Sequence, residues 1–126
     1  VTPAILKAVT GLPWVAEHRF ALEHIGAGPA IRNRLKAANL QDWRFDFACH
    51  SVRLAVEIEG GAWTGGRHTR GKGFNDDLRK YGAAMRLGWT VYRCSHAMVA
   101  SGEAYDTITA VCRNLEQRHA PAPSTA

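Results

Sequence analysis

The period of hydrophobic and polar positions changes several times along the chain, and each change marks an element. Residues 3–9 predict a short, loosely packed helix with Pro3 in its first turn, ended by Gly11-Leu-Pro13. Glu17-His-Arg-Phe-Ala-Leu22 roughly alternates polar and apolar and predicts a first strand. Residues 24–42 break the alternation: Gly28-Pro29 signals a loop, and Ala30 to Leu40 predicts a short helix with Ile31 and Leu35 on one face and Arg32, Arg34 and Lys36 crowding the others. Trp43 to Ala48 and Val52 to Ile58 are apolar runs rich in strand-forming residues, which predict a second and third strand pairing as a hairpin.

Beyond the glycine-rich turn Gly60 to Gly66, the spacing of Phe74, Leu78, Tyr81 and Met85 predicts an amphipathic helix over 74–87, closed by Gly88. Trp89 to Cys94 predicts a fourth strand. A final helix from about Ser101 to His119 places Ala104, Tyr105, Ile108, Val111, Cys112 and Leu115 on one face, and residues 120–126 predict a disordered tail. The expected architecture is α/β: a central four-stranded mixed sheet flanked by helices. Residues 1–119 are expected to form a single domain in which 24–42 is an inserted loop and basic helix.

Three carboxylates interrupt this pattern where a core is expected. Asp46 lies inside the second strand, and after ten intervening residues Glu57 and Glu59 end the third. A carboxylate in a packed strand costs several kcal/mol, on the order expected for an unpaired buried charge, unless a cation compensates it. Strand alternation points Glu57 and Glu59 to one face and Ile58 to the other, and hairpin pairing brings Asp46 toward the same face. Oxygen ligands of this kind suit Mg²⁺, with Mn²⁺ as a substitute.

Charge adds to that reading. Sixteen basic against eleven acidic residues give a formal charge of +5, and three of the acids belong to the carboxylate group, so the remaining surface is more basic than the total. A basic surface around an acidic, metal-holding cleft suits phosphodiester chemistry, whereas the bare +5 also fits ordinary solubility. Arg67-His-Thr-Arg-Gly-Lys72 follows the glycine-rich turn directly, which makes Arg67, His68, Arg70 and Lys72 candidates to hold a phosphate; Arg32, Arg34 and Lys36 are a second such group, with a solvated charged helix as the alternative.

Cys49, Cys94 and Cys112 are odd in number and lack Cys-x-x-Cys spacing, which points to reduced thiols in the cytoplasm rather than a disulfide framework. Cys49-His50 and Cys94-Ser-His96 lack the closely spaced pairs of a structural zinc site. No apolar run is long enough for a membrane span, and the start has no signal-peptide pattern, so a soluble intracellular protein is expected.

Trp43-Arg-Phe-Asp-Phe-Ala48, Leu54-Ala-Val-Glu-Ile-Glu-Gly-Gly61, Gly66-Arg-His-Thr-Arg70 and Gly88-Trp89 together resemble the PD-(D/E)XK nuclease superfamily. The likeness covers roughly residues 12–95 and is greatest to small phage and prophage endonucleases related to the very-short-patch-repair group. Two positions depart from the superfamily pattern: Phe45 stands where its proline would be, and Glu59 where its lysine would be. The resemblance implies a restriction-endonuclease-like fold and Mg²⁺-dependent cleavage of DNA. Asp46, Glu57 and the Ile58 carbonyl would hold the metal, and Glu59 would orient or deprotonate water. Lys80, on the helix that supplies the lysine in several superfamily members, would replace the missing one, and Glu17 would assist with a second metal or water.

With no attached specificity domain, a nuclease of this size is expected to form a homodimer or borrow a protein partner. Rival expectations are a catalytically inactive nucleic-acid-binding module of the same fold and a metal-dependent hydrolase of small phosphoesters.

Overall fold

A computed structural model describes residues 1–60 and 72–119. The first part of the chain forms helix α1 (Pro3–Thr10), strand β1 (Val15–His18), helices α2 (Phe20–Ile25) and α3 (Ile31–Ala37), and strands β2 (Phe45–Cys49) and β3 (Leu54–Glu59). Helix α4 (Lys72–Arg86), strand β4 (Thr90–Ser95) and helices α5 (His96–Ser101) and α6 (Glu103–His119) follow.

The four strands lie in sequence order. The β1/β2 and β2/β3 pairs are antiparallel and β3/β4 is parallel, so the sheet is mixed, as the pattern predicts. A parallel pair needs a crossover connection, which α4 supplies between β3 and β4. Strand alternation divides the core in two. Leu54 and Val56 face one side, where they join Leu6 of α1 and Ala104, Ile108, Cys112 and Leu115 of α6; Ala55 faces the other, with Phe20, Leu35, Ala83, Ala84 and Trp89. Helices therefore cover both faces of the sheet.

Several elements differ from the sequence expectation. The first strand ends at His18, and Phe20 to Ile25 is helical. Phe20 and Ala21 are neighbours and both buried in the same cluster, which a strand alternating between faces does not allow. Glu17 itself has φ of 52°, outside the strand region. Helix α1 is not loosely held, since Leu6 is fully buried within the α6 core.

The final helix is two helices. Ser95 caps α5 by accepting a hydrogen bond from the Met98 amide at 3.2 Å, and Gly102, at φ 90°, separates α5 from α6.

The largest difference is the face of α4. Phe74, Leu78 and Met85, three members of the expected apolar stripe, are 41%, 54% and 73% exposed. The sheet meets Ala83 and Ala84 instead, with Lys80 and Tyr81 half-buried beside them. Two alanines let the helix approach closely, and Lys80 is drawn inward by a carboxylate on β3, so charge pairing and side-chain size override apolar periodicity here. Among the described residues no helix is long and apolar enough to cross a membrane.

Candidate metal centres

The β2/β3 register pairs Phe47 with Val56, and one step further along the ladder Asp46 stands opposite Glu57. At this end of the hairpin the carboxylates take over from the backbone ladder. Glu57 Oε2 accepts the Asp46 amide at 2.8 Å, and Asp46 Oδ2 accepts the Ile58 amide at 2.8 Å. Each residue thus fixes the other's strand. One oxygen of each carboxylate is committed to an N–H, and the second is left to other partners.

Glu57 shares its sheet face with Ala55 and looks toward α4. It is only 5% exposed. The Lys80 ammonium donates to Glu57 Oε1, and the Tyr81 hydroxyl lies 3.5 Å from the same oxygen. Burial pushes the Glu57 carboxyl above the usual range; the Lys80 and Asp46 N–H bonds pull it back without cancelling that effect, and the Asp46 charge adds to the rise. Burial and the Glu57 charge also raise the Tyr81 phenol, which stays a neutral hydroxyl.

Glu59 is turned to a different partner. Its Oε1 accepts the Arg93 Nε–H at 2.5 Å, and the Arg93 guanidinium lies 4.4 Å from the centre of the Tyr81 ring. With Glu59 neutralised by Arg93, the charges of Asp46, Glu57 and Lys80 sum to −1. Lys80 thus supplies the cation that compensates Glu57, and among the described residues Asp46, Glu57 and Glu59 do not converge as a three-carboxylate metal group, contrary to the sequence expectation.

The other predicted residues fall in varied places. Glu17 is exposed and lies in register with Asp46, between the Ala16–Phe47 and His18–Phe45 pairs. Arg32 and Lys36 are exposed on α3. Arg34 is bound to the preceding loop: it donates to the carbonyls of Pro29 at 2.8 Å, Ile25 at 3.2 Å and Gly26 at 3.0 Å. Lys72 begins α4, while Arg67, His68 and Arg70 lie outside the described residues, as does the predicted tail 120–126. Cys49, Cys94 and Cys112 are free and buried, and His96 is exposed at the start of α5.

A second cluster escaped the sequence reading. His18 at the end of β1, Glu23 in α2 and His50 in the β2–β3 turn place one ligand atom each within 4.8 Å of one another. His18 Nε2 and His50 Nε2 lie 3.2 Å and 2.6 Å from the same oxygen, Glu23 Oε2. The Arg53 guanidinium holds the other oxygen, Oε1, at 3.0 Å and lies 4.2 Å from the centre of the Trp89 ring. Two imidazoles and a carboxylate can coordinate a divalent metal ion, an arrangement consistent with metal-dependent hydrolysis in general. Four residues separate His18 from Glu23 across a strand-to-helix junction and His50 lies far along the chain, so no local spacing announces the group.

No protein family, no curated protein and no solved structure matches the chain.

Proposed function

We propose that the chain is a metal-dependent endonuclease of the PD-(D/E)XK type acting on DNA, with Asp46, Glu57, Ile58 and Lys80 as its catalytic group. The observation that carries this reading is the contact of Lys80 with the buried Glu57 carboxylate directly across from Asp46. It supplies an aspartate, a glutamate and a lysine at one strand end although the strand itself has Glu59 in the lysine's place.

Asp46, Glu57 and the Ile58 carbonyl would hold Mg²⁺, or Mn²⁺ in its stead. When bound, the ion offsets the charge that develops on the phosphate and makes a nearby water more acidic. Lys80, in contact with Glu57, would hold the attacking water by a hydrogen bond and stabilise negative charge beside the carboxylates. That water's oxygen would form a bond to phosphorus as the opposite P–O bond breaks; Glu59 would take the water's proton, and the departing oxygen would take a proton from solvent. Arg67, His68, Arg70 and Lys72, with Arg32 and Lys36 on α3, are the proposed grip on the DNA backbone. The basic excess favours a polymer over a small phosphoester.

The test is cleavage of plasmid and linear duplex DNA by the purified chain with Mg²⁺, with Mn²⁺ and with EDTA, beside Glu57→Gln. Cleavage in either metal, lost in EDTA and lost in Glu57→Gln while that variant still folds and binds DNA, is the expected result. Full activity of Glu57→Gln would overturn the site, and DNA binding without cleavage in any metal would favour an inactive binding module.

A further inference from the structure

We propose that His18, Glu23 and His50 form a second metal site, one for a borderline transition ion of the Zn²⁺ class, separate from the Asp46 and Glu57 centre and sharing no ligand with it. The donor set decides the ion. Imidazole nitrogen suits Zn²⁺ and its neighbours, whereas Mg²⁺ prefers oxygen throughout.

The geometry supports it on four counts. The ligand atoms come from three separate elements and converge within 4.8 Å of one another. A tetrahedral Zn²⁺ with bonds near 2.0–2.1 Å separates its ligand atoms by about 3.3 Å; the 3.2 Å between His18 Nε2 and Glu23 Oε2 matches that spacing. His18 Nε2 is buried and, despite that distance, is not aligned for a hydrogen bond with any partner among the described residues. A buried polar atom without a partner is uncommon and calls for one. Lastly, Glu23 divides its oxygens: Oε1 goes to Arg53 and Oε2 faces both imidazoles. An outer hydrogen bond of this kind fixes which oxygen is offered to a metal.

The ion would sit between both imidazoles and Oε2, replacing the direct His50–Glu23 contact at 2.6 Å by two coordinate bonds. Glu23 and His50 reach solvent, so water completes the shell. Loading would tie α2 and the end of β1 to the β2–β3 turn and release protons from any imidazolium present.

The experiment is titration of the purified full chain with Zn²⁺, and with Co²⁺ as a spectroscopic substitute, in parent, His50→Gln and the double variant Asp46→Asn/Glu57→Gln. One equivalent of Co²⁺ should give a visible spectrum of nitrogen and oxygen ligation, displaced by Zn²⁺, and the Tm should rise with added Zn²⁺. The double variant should retain both effects, because its substitutions lie at the other centre. His50→Gln should weaken binding at least about tenfold, since loss of an outer partner alone commonly costs 10–100-fold.

His50 is exposed, so its replacement leaves the core intact; unchanged melting without metal verifies this. Equal Co²⁺ affinity in His50→Gln and parent, no one-equivalent binding in parent, or loss of binding in a double variant that still melts cooperatively would each overturn the site. None of these outcomes bears on DNA cleavage, which is read separately with Mg²⁺.

Discussion

Lys80 of α4 and Glu57 of β3, separated by 23 positions in the chain, meet as a nearly buried ion pair. The pair does two jobs. It compensates a carboxylate that would otherwise be stranded in the sheet, and it carries a cation to the strand end where Asp46 also points. Removing one partner leaves the other uncompensated, so these residues are coupled in stability as well as in the proposed chemistry.

Lys80→Ala is expected to slow single-turnover DNA cleavage by about 10² or more without weakening DNA binding, because a positioned catalytic group contributes typically 10²–10⁴. A rival arrangement uses a second Mg²⁺ held by Glu59 and Glu17. In that case Lys80→Ala matters little, Glu59→Lys is the damaging change, and the rate depends on Mg²⁺ concentration with more than first order. Rates of both variants across a Mg²⁺ titration separate the two. A Lys80→Ala enzyme as fast as its parent rejects the role of Lys80.

The juxtaposition of Asp46 and Glu57 could be read from the chain, and the reasons are local. Asp46 and Glu57 stand out because charge is rare within apolar strands, and a hairpin brings them opposite each other once its register is guessed. The face of α4 could not be read this way. Apolar periodicity selects Phe74, Leu78 and Met85, yet the helix turns Ala83, Ala84 and Lys80 inward, since the sheet leaves room for small side chains and Glu57 requires a cation. The His18–Glu23–His50 cluster was illegible for another reason. It depends on a strand ending at His18 and a helix beginning at Phe20, a junction that the rough alternation from Glu17 to Leu22 conceals.

The basic residues of α3 separate by what they touch. Arg32 and Lys36 are exposed, and changing both to Ala should flatten the salt dependence of DNA binding by up to about 2 × 0.9 if both contact phosphate. Arg34→Ala should act differently. It leaves the carbonyls of Ile25, Gly26 and Pro29 without their donor, at a cost of about 1–3 kcal/mol in stability. Measured salt slopes and denaturant midpoints should therefore order the variants oppositely. An Arg34→Ala chain as stable as the parent contradicts the assignment of Arg34 as a loop latch.

The three cysteines should be inert until the chain unfolds. All are buried, burial raises the Cys94 thiol, and burial pushes Cys112 up to about 12. The thiolate is the reactive form, so it is scarce at pH 8 even where a reagent could enter. Labelling with a thiol reagent should be slow in buffer and reach three equivalents in denaturant. Rapid modification of Cys94 or Cys112 in the native chain is the contrary result.

The last prediction concerns His18 with metals removed by chelator. Burial is the largest influence on its ring and lowers its pKa; the Glu23 charge opposes that, while the charges of His50 and Arg53 reinforce it, and the net result lies below 6.5. Glu23 is also held low, because His50 and Arg53 hydrogen bonds and the His18 charge outweigh the opposing effect of burial. Both shifts have the same sign for stability. A lowered folded value means that each group stabilises the fold above its ordinary range and loses that contribution as pH falls through the folded value. Acid should therefore loosen this corner first through His18, as pH drops below about 6.5, and then through Glu23. A proton NMR titration of the His18 ring in EDTA should give a midpoint below 6.5. Glu23→Gln should move that midpoint further down, since it removes the main influence raising it, and Tm measured over the same pH range should fall as His18 protonates. A midpoint at or above the ordinary histidine value, or one that rises in Glu23→Gln, contradicts the described packing of His18 against Trp89 and Glu23.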